Sequence, residues 1–179
     1  MKLIGLDFET ANYRQGSICA IGLALLENGE LIDQREWLIR PHRSLDWLLP
    51  RFTDIHGIDY YQLRGAPEFC EIWLLMANFI QSGELAVIHN AAFDLGHLQA
   101  VLELYQLPAF SFDYVCSLRL CRQLFPEMKS HSLDKMAERF QLEFKHHDAL
   151  EDATVCASIV SHTGIPENSR KRFEYCAQV

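Results

Sequence analysis

No stretch of this chain approaches the ~20 consecutive apolar residues that a membrane-spanning helix needs. The acid at position 7 interrupts the apolar N-terminal run before it reaches the length of a secretion signal. The six cysteines (Cys19, Cys70, Cys116, Cys121, Cys156 and Cys176) form no Cys-x-x-Cys pair, and several lie in apolar runs where a thiol behaves as a small hydrophobe. They read as free thiols in a reducing, cytoplasmic setting. Low-complexity tracts and internal repeats are also missing, so neither disorder nor a repeat architecture is expected. Positive charge is scarce: 16 Lys and Arg against 24 Asp and Glu leave a net charge of −8. That excludes broad coating of duplex nucleic acid through massed cationic contacts to phosphate. Carboxylates that bind divalent cations are still compatible with a phosphate-bearing ligand, because the ions reverse the local sign.

What is there suits one folded domain: 179 residues, 49% of them hydrophobic. Residues 2–8 are short and apolar, as in a central strand. Residues 18–26 and 31–39 flank an Asn28-Gly29 pair, the signature of a hairpin. From 41 to 67 the chain reads as loop with one short helix, including the turn-prone Ile55-His56-Gly57-Ile58. The recurrence of Phe69, Ile72, Trp73, Met76, Phe79 and Ile80 predicts a helix over 67–81. A buried strand at 85–89, a helix over 91–105, a short strand at 112–115 and helices near 116–124, 132–139 and 149–162 complete the pattern. Strands first, then alternating helix and strand, describe a mixed α/β layer fold.

Three segments carry candidate chemistry. Asp7 and Glu9 are two residues apart in an extended run, so their side chains leave the same face and converge. By itself such a pair also fits solvated acids at a strand end. In Ile88-His89-Asn90-Ala91-Ala92-Phe93-Asp94, Asn90 is a plausible N-cap that makes Asp94 the fourth helical residue; taken alone, Asp94 fits equally as a partner of the helix dipole. In His147-Asp148-Ala149-Leu150-Glu151-Asp152, Asp148 and Glu151 read as an acidic capping box. Asp152 is left free in the first turn, and His147 stands just outside the cap, on a loop. A histidine there can take a proton from water at neutral pH.

In their order, Asp7-Phe8-Glu9-Thr10, then His89-Asn90-Ala91-Ala92-Phe93-Asp94, then His147-x-Ala149-x-x-Asp152, these segments resemble the DEDDh exonuclease superfamily, and in particular the stand-alone relatives of the proofreading epsilon subunit of bacterial DNA polymerase III. Ala20-Ile21-Gly22, Ile55-His56-Gly57-Ile58 and Ser132-Leu133-Asp134 are similar to the family as well. The resemblance implies a ribonuclease H-like α/β fold with a five-stranded mixed sheet, an exonuclease domain over 1–165 and a C-terminal tail over 166–179. It implies 3′→5′ hydrolysis of phosphodiesters at the 3′ end of DNA, with RNA left open, and release of nucleoside monophosphates. By position, Asp7, Glu9, Asp94 and Asp152 would hold two divalent ions, Mg²⁺ or Mn²⁺, and His147 would be the general base. Thr10, Asn90 and Phe93 fall where family members contact the terminal nucleotide, and Phe8 or Phe93 would stack on its base. Single-stranded or frayed 3′ ends are the expected ligands, with a DNA polymerase or repair complex as an associated partner.

His89, His97, His131 and His146 match no closed zinc site by spacing, and surface or supporting roles are expected of them. The basic run Arg170-Lys171-Arg172 is read as solvated. Two other functions are open: an HD-type metal phosphohydrolase, which would be essentially all-helical, and a non-catalytic accessory subunit, which would have lost a metal-binding acid.

Overall fold

In the computed structural model, which describes residues 1–177, the two-residue alternation of the N-terminal segment is realised in β1 (Lys2–Thr10). Ile4, Leu6 and Phe8 enter one buried cluster, while Leu3 enters the cluster on the opposite face, the face shared by Gly5, Asp7 and Glu9. β1 pairs antiparallel with β2 (Ile18–Glu27), and β2 with β3 (Glu30–Leu38). The connection is tight because Asn28 and Gly29 both take positive φ, 54° and 89°, as the Asn-Gly pair predicts.

Between 41 and 67 the chain forms two short helices rather than one, α1 (Pro50–His56) and α2 (Tyr60–Leu63). Gly57, at φ 78°, ends α1 in the left-handed conformation that only glycine adopts without cost. α3 (Phe69–Gln81), β4 (Leu85–Ile88), α4 (Ala92–Leu104), β5 (Phe110–Cys116), α5 (Ser117–Leu124), α6 (Leu133–Phe140) and α7 (Ala149–Thr163) follow. β6 (Lys171–Tyr175) comes last. The sheet runs β3-β2-β1-β4-β5-β6, with β1, β4 and β5 parallel and the other pairings antiparallel.

The mixed α/β architecture is therefore present, with six strands instead of five. The sixth lies in the stretch read from sequence as a tail. In Lys171-Arg172-Phe173-Glu174-Tyr175 only two apolar residues alternate with charged ones, a signal too short to separate from a solvated run. Phe173 and Tyr175 are nonetheless buried, Phe173 against Phe112 with ring centroids 5.2 Å apart. Arg172, expected to be solvated, bridges to Asp113, Ser111 and Glu174. Gln178 and Val179, the end of the predicted tail, lie outside the described residues.

Helices cover both faces. α3 and α4 bury Phe69, Met76, Leu98 and Leu102 against Ile4, Leu6 and Ile88. On the other side α7, backed by α6, packs Val155, Cys156 and Ile159 over Leu3, Leu26 and Val87. At roughly 1.5–3 kcal/mol for each large side chain, these two clusters supply the main stabilisation. α7 lies unusually close to the sheet. A Cβ on Gly5 would stand 1.9 Å from the carbonyl oxygen of Ala153, and one on Gly22 2.0 Å from that of Ala149. These two glycines seat the first turns of α7 directly over β1 and β2. No helix among the described residues is long and apolar enough to cross a membrane, and all six cysteines are free.

Candidate active site

Three segments distant in sequence converge at the C-terminal end of β1. The pleat aims Asp7 and Glu9 at α7, and the close seating of that helix brings Asp152, its fourth residue, up to them. Carboxylate oxygens of Asp7, Glu9 and Asp152 lie within 4.8 Å of one another. Asp94 reaches the same place from α4, where its Oδ1 accepts the backbone N–H of Phe8 at 3.1 Å. Asp94 and Asp152 are almost wholly buried, at 2% and 4% exposure.

Buried like charges without compensation are costly, and the acids respond by holding protons. Burial, then the charges of Asp94, Asp152 and Glu9, raises Asp7 well above the usual carboxylate range. Burial, reinforced by Asp152 and Asp148, raises Glu9 to about 7. Asp94 is raised by burial against the opposing pull of the Phe8 N–H, and Asp152 by burial against hydrogen bonds from His146 and His147.

Local geometry departs from the sequence reading at Asn90. It does not cap α4: it sits at φ 60°, the helix begins two residues later, and Asp94 is the third helical residue rather than the fourth. At α7 the reading is half realised, since Asp148 is the N-cap and its side chain accepts the N–H of Glu151 at 3.4 Å, but the reciprocal bond of a capping box is not formed. His147 immediately precedes the cap at φ 66°. Its backbone N–H donates to Asp152 Oδ2 at 3.2 Å, so the bend that presents the imidazole also fixes the acid. Burial and the neighbouring His146 lower the pKa of His147, which favours the neutral ring.

The substrate-contact candidates separate on burial. Phe93 is 43% exposed beside His97, with ring centroids 4.6 Å apart, and presents an open face. Phe8 is a correction: at 3% exposure it is part of the core, so its ring has no face for a base, and its contribution to the site is the main-chain N–H. Thr10 is buried, with its carbonyl 3.3 Å from His56 Nε2, and Asn90 is exposed at the rim.

Two residues gain importance from the fold. His146 Nδ1 lies 3.2 Å from Asp152 Oδ1, and its ring stacks on His147 at 3.9 Å. Nothing in the sequence distinguishes it from the other histidines except adjacency to His147. His56 closes α1 against the end of β1, its Nδ1 accepting the N–H of Ile58 at 3.0 Å.

The acids stand where two clefts meet. One, of about 430 Å³, is lined by Glu9, His56, Ile58, Lys145 and His147. The other, of about 600 Å³, is lined by Asp7, Asp152, His146, Asn90 and the segment leading into α6.

A mixed sheet with helices on both faces and four acids gathered beside a histidine defines the nuclease class of such folds. A family model described as an exonuclease, RNase_T, matches residues 4–160, and the chain belongs to this family. It is an exonuclease domain of hydrolytic type. It is 31% identical over 157 residues to a DNA polymerase III PolC-type protein of Thermotoga petrophila, covering 86% of this chain and 11% of the relative. A PolC-type polymerase of Bacillus cereus is 29% identical over 164 residues, covering 91% and 11%. The chain thus spans about a tenth of the length of the curated relatives it matches. Among solved structures, exonuclease X in complex with 5′ overhanging duplex DNA superposes with a TM-score of 0.71 at 23% identity, over 94% of this chain and 95% of that one. The nuclease domain of 3′hExo, a DEDDh family member bound to rAMP, does so with 0.75 at 18%, over 90% of each.

Proposed function

We propose that the domain is a metal-dependent 3′→5′ exonuclease that removes nucleoside monophosphates from the 3′ end of DNA, using two divalent cations and a histidine base. The observation that carries the reading is the convergence of Asp7, Glu9 and Asp152 oxygens within 4.8 Å, with Asp94 buried behind them and His147 at the edge. The donor set fits divalent ions. It is all carboxylate oxygen, as hard cations such as Mg²⁺ or Mn²⁺ require, and its members raise one another's pKa until a positive charge is supplied. Asp7, Glu9, Asp94 and Asp152 are the residues that would hold the pair. When bound, two such ions supply charge stabilisation for the entering and leaving oxygens of an in-line displacement.

The chain's own groups do the rest. His147, neutral near pH 7, accepts the proton of the water that attacks phosphorus. The bond from phosphorus to the O3′ of the retained strand breaks, and the nucleoside 5′-monophosphate departs. Phe93 stacks on the terminal base, a contact worth ~1–3 kcal/mol and tolerant of sequence, while Asn90 lines the approach and the buried Thr10 backs it. Such a site prefers single-stranded or frayed ends, because stacking needs an unpaired base. The DNA polymerase III PolC-type relatives support work alongside a DNA polymerase.

The test is a time course with 3′-labelled and 5′-labelled DNA and RNA oligonucleotides in Mg²⁺, Mn²⁺ or EDTA. Stepwise shortening of 5′-labelled DNA, with immediate release of a 3′ label as mononucleotide and none in EDTA, is expected. Intact oligonucleotides in manganese, or mononucleotide release from the 5′ end, would refute the reading.

A further inference from the structure

The larger cleft has a wall that the carboxylate site does not use. α5 ends two residues after Arg122, and the loop from there to α6 carries Lys129, Ser130 and His131 along the cleft. The loop is built rather than loose. His131 Nε2 lies 2.8 Å from the carbonyl of Phe125, Ser130 and Ser132 share a hydrogen bond at 3.0 Å, and Phe125 packs on Phe140 with Arg139 stacked over it at 4.2 Å. Arg122 and Lys129 are exposed, join no ion pair among the described residues, and are set apart from the other cations by lining the same cleft as Asp7 and Asp152. In a chain of net charge −8, two unpaired cations beside the carboxylate centre mark where a polyanion can lie.

The direction of the reaction says which part of the polyanion. An in-line displacement puts the attacking and leaving oxygens on opposite sides of phosphorus. Glu9 and His147 line the smaller cleft, so the attacking water belongs to that side and the leaving O3′ of the retained strand to the other. Asp7 and Asp152 open on the larger one. We infer that the groove between Asp7 and the α5–α6 loop holds the retained strand, with Arg122 and Lys129 contacting the phosphodiesters 5′ to the scissile bond and Ser130 donating to the same backbone. The assignment rests on the 3′→5′ reading for its polarity. The contacts go to phosphate rather than to base edges, so they add affinity without sequence preference.

The experiment is fluorescence anisotropy of a short 5′-fluorescein oligothymidylate in Ca²⁺, repeated over a range of salt, with cleavage in Mn²⁺ measured in parallel. R122Q/K129Q is compared with wild type and with R35Q/K135Q, which removes two charges elsewhere. Loss of two phosphate contacts on a single strand lowers the slope of log K against log salt by about 1.4 and weakens binding roughly tenfold or more at low salt. The control double variant keeps the wild-type slope. If both double variants shift alike, the effect is that of net charge and the groove is not a binding site; if neither shifts, the groove is overturned as well. Unaltered binding by R122Q/K129Q in a protein that shortens DNA overturns the groove alone. A selective slope change in a protein that leaves every oligonucleotide intact keeps the groove and overturns the catalytic reading.

Discussion

At His147 the backbone bends through the left-handed region, with Asp148 capping α7 on one side and His146 stacked on the other. A non-glycine residue held there stores on the order of 1–3 kcal/mol of strain, which the bond from its own N–H to Asp152 helps to offset. The ring is thereby set at the edge of the acid cluster without being one of its oxygen donors. His147→Ala should lower kcat by about 10²–10⁴-fold, the range for a lost general base, while calorimetry finds Mn²⁺ affinity within a few-fold of wild type. Equal turnover, or affinity lost in step with activity, would remove His147 from the base role. This much was legible in the chain because Asp7 and Glu9 share a strand face by period and Asp152 is what remains once Asp148 is used as a cap. The pairing of His146 with Asp152 was not legible, since it depends on the path of a loop. Nor was the burial of Phe8, which lies in the same motif as Asp7 and Glu9 but points to the other side of the sheet.

α7 is the element on which the site depends, and two absent methyl groups let it approach. Gly5 and Gly22 lie on adjacent strands beneath Ala153 and Ala149, one on each side of Asp152 along the helix. A methyl at Gly22 meets backbone rather than a flexible side chain, so the helix must move. Gly22→Ala is expected to cost about 1–3 kcal/mol, a fall in Tm of roughly 2–12 °C for a domain of this size. Activity at 25 °C, where the variant stays folded, should fall more than stability does, because Asp152 is displaced from Asp7 and Glu9. A variant with wild-type Tm and turnover would show that the contact is slack. Helix periods and the Asn-Gly hairpin announce most elements in advance, but nothing local in Gly22 says that a helix far along the chain rests on it. β6 escaped notice for a related reason: its two aromatic residues matter only because Phe112 is waiting on β5.

Across the whole molecule, the acid cluster sets how stability responds to protons and cations. Glu9, whose pKa is raised from 4.5 to about 7, contributes stability that is fully present below about 4.5 and is lost as pH rises through about 7. His89 and His97, lowered to about 4 by burial, act in the opposite sense, so the direct comparison is between Glu9→Gln and wild type, where they cancel. In EDTA the variant should be the more stable protein by urea unfolding above about pH 7, with the gap closing towards pH 4.5. Saturating Mn²⁺ should reverse the order, since a ligand that binds only the folded state stabilises it in proportion to its affinity. A gap independent of pH would mean that Glu9 does not feel its neighbours.

The last strand also bears on how this domain can be handled or joined to other polypeptide. With Lys171, Arg172 and Glu174 facing solvent, β6 closes the sheet with a charged border. Excision after residue 165 would uncover β5 and its Phe110 and Phe112, an open apolar edge of the kind that recruits strands from other molecules. Light scattering on the shortened protein should therefore reveal self-association, and a junction placed beyond residue 175 should avoid it.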